Sequence, residues 1–184
     1  MAKDFKMKNK LLILLCCFSY MVYAADEERV LSEQSNLILK LSERTKVPLY
    51  SDGSCQFVID TLCHDIEHEN FLMLQVDTCN NIAIHVQPQW SLDGALYPKM
   101  GWVLLSDEII IYAQSTADGK IQLYTSPSYS DTKVMVEYRN LPLPVILYQR
   151  GWVFTEVYDS KSGVKNKGWL SPIDQCDAIY TTCN

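Results

Sequence analysis

The sequence predicts a mainly β protein with a helical N-terminal part, an α+β chain whose C-terminal third folds as a small β-barrel. Three observations carry that prediction. Apolar residues between positions 26 and 66 recur at helical spacing, whereas from Phe71 onward they form short alternating or β-branched runs separated by turn residues. At 184 residues, 48% hydrophobic and 21% charged, with seven Gly and seven Pro, the chain also has globular composition and enough apolar side chains for one core.

The first 24 residues have the layout of a secretory signal. Lys3, Lys6, Lys8 and Lys10 precede an apolar run, residues 11–23, that is too short to span a bilayer. Val22 and Ala24 are small residues at the positions a signal peptidase reads, so the mature chain is expected to begin at Ala25. The competing reading, lipidation at Cys16 or Cys17, is opposed by Leu15 or Cys16 standing where a small residue should precede the modified cysteine. Cleavage removes four lysines and one aspartate and takes the formal charge from −6 to −9. So acidic a chain cannot rest its binding on phosphate neutralisation, which excludes nucleic acid as the expected partner. No later stretch is long enough for a transmembrane helix, and the mature chain is expected in the periplasm or outside the cell.

In the mature chain, Val30, Leu31, Leu37, Ile38 and Leu41 give residues 26–46 an amphipathic helical period, opened by Asp26, Glu27 and Glu28 and ended by Pro48. Ser54, after a Ser51-Asp52-Gly53 turn, is placed to cap a second helix with Phe57, Val58, Leu62 and Ile66 on its apolar face. Leu72, Leu74 and Val76 then alternate, as do Ile82, Ile84 and Val86 beyond Asn80-Asn81, which predicts a hairpin. Strands are expected over 102–105, 108–114, 121–125, 133–138, 145–148, 152–157 and 168–170. The organisation is a signal at 1–24, a helical and hairpin region at 25–114, and a barrel with a disulfide-closed tail at 115–184.

Five of the seven cysteines remain after cleavage, an odd number for an oxidising compartment. Cys176 and Cys183 flank a short terminal segment that a covalent ring would keep from fraying, so they are read as one disulfide. On one helix Cys55 and Cys63 would stand about 12 Å apart, too far to bond, which makes Cys79 the expected partner of one of them.

His64-Asp65-Ile66-Glu67-His68 fits the H-x-x-E-H spacing of inverted zinc peptidases, with both histidines on one helical face as ligands and Glu67 as a base. No later helix supplies the distant carboxylate ligand such enzymes need, so His64 and His68 are an alternative and no metal or cofactor is expected. Tyr112, Tyr124, Tyr129, Tyr138, Tyr148, Trp152, Tyr158 and Trp169 crowd the C-terminal half. Some must be core, and a surface cluster of Tyr124, Tyr129 and Trp152 would form a binding groove. The Leu141-Pro142-Leu143-Pro144 run is read as a strand entrance rather than a polyproline ligand.

Residues 120–172 order these pieces as Ile121-Gln122-Leu123-Tyr124 with Pro127, Val134-Met135-Val136-Glu137-Tyr138, Leu141 to Leu147, Gly151-Trp152-Val153-Phe154-Thr155-Glu156-Val157 and Gly168-Trp169-Leu170. This order resembles the bacterial SH3-like (SH3b) family, with its G-W-x-x-V strand and closing G-W-[IL] strand. Gly101-Trp102-Val103 repeats the dipeptide upstream without a full strand set. The resemblance implies an SH3-like barrel and a role in binding cell-wall peptides or escorting cell-wall hydrolases. Since only Ile173 to Asn184 follow the module, any catalysis is expected in the N-terminal part. The chain is therefore read as a non-catalytic exported module that binds a cell-envelope component, most directly peptidoglycan peptide. A periplasmic inhibitor or immunity protein acting on a toxin or hydrolase is the second reading, and a small zinc hydrolase the third.

Overall fold

A computed structural model describes residues 36–39, 45–159 and 161–176. The predicted signal, the expected start at Ala25 and Cys183 lie outside the described residues. By its internal contacts the chain divides into residues 1–33 and 34–184, and everything described belongs to the second unit.

Short, β-branched and aromatic runs punctuated by turns give short antiparallel strands. In order they are β1 (Asn36–Leu39), β2 (Val47–Tyr50), β3 (Val58–Leu62), β4 (Leu72–Cys79), β5 (Ala83–Trp90), β6 (Gly101–Leu104), β7 (Ile109–Ala113), β8 (Lys120–Tyr124) and β9 (Lys133–Glu137). Then come β10 (Leu143–Pro144), β11 (Leu147–Gln149), β12 (Trp152–Tyr158), β13 (Lys165–Leu170) and β14 (Gln175–Cys176). Nine of these strands form a curled sheet in the order β10-β7-β1-β4-β5-β6-β2-β3, with β14 also on β7. The other five form a sheet in the order β11-β12-β13-β8-β9. One buried cluster runs through both, from Leu37, Leu49, Leu74 and Ile84 to Ile121, Leu123, Val153 and Leu170.

Among the described residues the expected helical N-terminal part is absent, and the α+β expectation is corrected to a nearly all-β fold. Among the described residues the sole helical element is the 3-10 turn Pro172–Asp174. Leu37 and Ile38, assigned above to a helix, are both fully buried in β1, which lies between β4 and β7. Adjacent strand residues point to opposite faces, so β1 is covered on both sides and reads as apolar in a row, a pattern a short helical window can mimic. The second predicted helix fails locally. Cys55 sits at φ 55°, Ser54 donates its N–H to the Asp52 carboxylate at 2.8 Å instead of capping a helix, and the β-branched run Val58-Ile59 enters β3.

The hairpin expected at Asn80-Asn81 is present. Asn80 Oδ1 accepts the Ile82 and Ala83 N–H groups at 2.9 and 2.8 Å, and this side-chain turn joins β4 to β5. Leu143 and Pro144 pair with β7, so the Pro-rich run does enter a strand, with Pro144 placed on the outermost strand of its sheet, where a missing N–H is tolerated. The expected C-terminal barrel is likewise corrected. Its segments form an open five-stranded sheet with β11 and β9 as edges, while β10 and β14 leave it to pair with β7.

Candidate functional site

Alternation along β12 sends Val153, Thr155 and Val157 into the core and turns Trp152 and Phe154 to the opposite face. On that outer face the register lines up one residue from each strand: Leu147 opposite Phe154, Phe154 opposite Trp169, Trp169 opposite Tyr124, and Tyr124 opposite Lys133. The row crosses all five strands, a span of about 19 Å at ordinary strand spacing. Phe154 and Trp169 touch with ring centroids 5.3 Å apart, and Lys133 Nζ stands 5.9 Å from the centre of the Tyr124 ring.

Two tight features hold the row. Gly168 lies so close to β8 that a Cβ there would come within 2.8 Å of Leu123 Cβ and 3.0 Å of the Tyr124 carbonyl, which explains the glycine of the third Gly-Trp pair. Arg150 and Gly151, at φ 48° and 83°, make the two-residue turn that reverses β11 into β12 and delivers Trp152. Gln175 pins that turn by donating Nε2 to the Gly151 carbonyl at 2.6 Å, and its Oε1 is buried without a partner.

Tyr124, Tyr129 and Trp152, singled out in the sequence, meet beside this row, where β12 begins and β8 ends. Tyr129 and Trp152 are 4.8 Å apart, Tyr124 and Trp152 5.2 Å, and Tyr124 and Tyr129 6.1 Å, with the Tyr124 ring edge-on to both. Tyr124 and Trp152 are almost wholly covered, whereas Tyr129 is 49% exposed and offers its ring to solvent. The 125–132 loop that carries Tyr129 is closed by Thr125 N–H to the Thr132 carbonyl at 3.0 Å and by a short Ser126 hydroxyl to Asp131 carboxylate contact. Burial, and secondarily the Asp174 carboxylate, push the Tyr124 hydroxyl above the ordinary tyrosine range, so it stays protonated.

At the β11 end of the row Leu147, together with Trp169 from the central strand, borders a cleft of about 320 Å³ that Cys79, Asn80 and Asn81 close from the β4–β5 turn. The Cys79 thiol lies 3.4 Å from the Tyr148 carbonyl, and burial pushes it up. The Cys55 thiol is also pushed up, by burial and then by Asp52. An activated nucleophile needs the opposite shift. Cys55, Cys63 and Cys79 are all free thiols, which corrects the expected bridge from Cys79 to Cys55 or Cys63. Cys176 is disulfide-bonded.

The H-x-x-E-H segment is not helical. Asp65 and Asn70 exchange backbone hydrogen bonds at 3.0 and 2.9 Å around a tight loop with Glu69 at φ 53°. His64 is buried, accepts the Leu72 N–H on Nδ1 at 2.9 Å and meets Phe71 edge-on at 5.3 Å. His68 is exposed and pairs with Asp65 at 2.8 Å. Among the described residues no group of three or more His, Cys, Asp or Glu is arranged to hold a metal ion.

Sequence reasoning found the aromatic trio but missed Phe154, Trp169, Leu147 and Lys133 as its neighbours, because their adjacency is set by strand register. The Gly-Trp dipeptide was the available signal for Trp169. Compared with protein-family models, with curated proteins and with solved structures, the chain matches none.

Proposed function

We propose that the protein is an exported, non-catalytic binding module for a cell-envelope component, peptidoglycan peptide, held along the aromatic face of the five-stranded sheet. One observation carries the reading: Tyr124, Tyr129 and Trp152 come from three separate segments and converge into a single contact cluster that continues as a row of aromatic side chains. The ligand class is taken from the segment order of residues 120–172, which resembles that of SH3b modules although the sheet here is open, and the acidic charge favours stacking and apolar contact over Coulomb attraction to an anionic wall. Among the described residues no helix is long and apolar enough to cross a membrane.

The test is sedimentation with insoluble peptidoglycan at low and high salt, with and without chelator. Binding is expected to survive salt and chelator, to fall about tenfold in Tyr129→Ala, and to be unchanged in His68→Ala. Loss of binding with chelator overturns the reading.

A protein partner is the second reading. β3 is an edge strand of the nine-stranded sheet and exposes Val58 and Ile59, with Phe57 exposed just before it, a feature that suits pairing with another chain. Capture of one envelope protein in a pull-down, lost on Phe57→Ser with no wall binding by any form, selects that reading.

A further inference from the structure

We propose that the cleft between the β4–β5 turn and β11 is a subsite for an uncharged, N-acetylated sugar ring. This rests on the wall-binding reading and extends it from peptide to the glycan that carries the peptide. The cleft, of about 320 Å³, is lined by Cys79, Asn81, Leu147, Tyr148, Gln149 and Trp169, together with Asn80. That volume is at the small end of ligand pockets and suits one or two rings. No carboxylate, ammonium or guanidinium lines it, so a charged ligand would lose its hydration without gaining a counter-charge.

The polar groups that do line it are suited to a sugar. The Asn80 carboxamide is already spent, with Oδ1 on two N–H groups of its own turn and Nδ2 donating to the Gly53 carbonyl at 2.9 Å. By contrast, among the described residues the Asn81 and Gln149 carboxamides and the Trp169 indole N–H make no hydrogen bond. A carboxamide offers N–H and C=O side by side, the complement of an acetamido group, and either half also pairs with a hydroxyl. The negative face of an indole attracts the weakly positive C–H edge of a pyranose, so Trp169 is the stacking plate.

Position supports the same ligand. Trp169 is the register partner of Tyr124, whose ring touches Trp152 and Tyr129, so plate and aromatic cluster sit on neighbouring strands about 5 Å apart. An amino sugar joined to a short peptide is the kind of ligand that engages both.

The full chain is titrated with tri-N-acetylchitotriose, followed by tryptophan fluorescence and amide chemical shifts. Saturable binding is expected with a Kd of about 1 mM or tighter, weakened about tenfold or more in Trp169→Ala and in Asn81→Ala and unchanged in His68→Ala. Asn81 is on an exposed turn, so its variant separates lost binding from lost folding. Maltotriose, which lacks the acetamido group, is expected not to saturate. The inference is overturned if chitotriose does not saturate, if its binding ignores both Trp169→Ala and Asn81→Ala, or if adenosine saturates in its place. Wall sedimentation that persists without chitotriose binding removes this inference alone. Chitotriose binding without wall sedimentation removes the wall-binding reading and leaves the sugar subsite.

Discussion

Replacing Tyr138 by Phe removes one oxygen atom from a place where two parts of the chain depend on it. The hydroxyl donates to the Leu141 carbonyl at 2.7 Å and accepts the Ala113 N–H at 3.2 Å, tying the 138–141 segment to β7. Leu141 is exposed, so its carbonyl regains water and the loss there is an ordinary net hydrogen bond of about 1 kcal/mol. Ala113 is 1% exposed, so its N–H is stranded, and an orphaned buried donor costs a further ~1–3 kcal/mol. Tyr138→Phe is thus expected to lower stability by about 2–4 kcal/mol at pH 7, read as a lower urea midpoint at unchanged slope. A pH arm makes the reasoning specific. Burial pushes the Tyr138 hydroxyl up to about 12, above the ordinary tyrosine value of about 10. A raised pKa means the neutral form is the one the fold favours, so its contribution is complete below pH ~10 and is lost as pH rises toward ~12. Wild type therefore loses up to ~2 kcal/mol in that window that the Phe variant never had, and the two stability curves converge. A difference below ~0.5 kcal/mol at pH 7, or parallel curves through the alkaline range, refutes the argument.

Other consequences are open to measurement. Trp152→Ala should destabilise by ~3–5 kcal/mol in thermal or urea unfolding because the ring is 6% exposed, whereas Tyr129→Ala should stay within ~1 kcal/mol of wild type because half its surface is already wet. Gly101→Ala should cost about 3 kcal/mol, since its Cβ would stand 2.5 Å from the Tyr50 carbonyl and force β6 away from β2; a wild-type urea midpoint would show that the strands are not held so close. Non-reducing peptide mapping should join Cys176 to Cys183, while Cys55, Cys63 and Cys79 take up an alkylating reagent without reduction; a bond from Cys176 to any of those three contradicts it.

The strand-rich body was legible because its signals are local. Alternation in Leu72-Leu74-Val76 and Ile82-Ile84-Val86, a turn built from Asn80's own side chain, and aromatic or β-branched runs after Gly101 each specify backbone geometry within a few residues. The N-terminal error arose where local signals are weakest. Leu37-Ile38 and Val58-Ile59 are short apolar runs compatible with either period, and their strand identity comes from pairing with β4, β7 and β2, partners from 8 to more than 70 residues away in sequence. His64 and His68 illustrate the same dependence: their spacing suggests a shared helical face only if a helix exists, and the 65–70 loop removes it.

By itself the sequence determined the supply of aromatic side chains, the Gly-Trp pairs, the acidic balance and the order of strands from Phe71 onward, because composition, turn chemistry and strand period act over short distances. Tertiary structure alone decided which of those aromatics touch. The row Leu147-Phe154-Trp169-Tyr124-Lys133 exists because β13 pairs with β8 across more than forty residues of intervening chain, and a slip of one residue would turn every side chain of a strand to the other face. That register is chosen by the burial of Val153, Leu170 and Leu123 on the opposite face, an energy that belongs to the packed core and to no single segment.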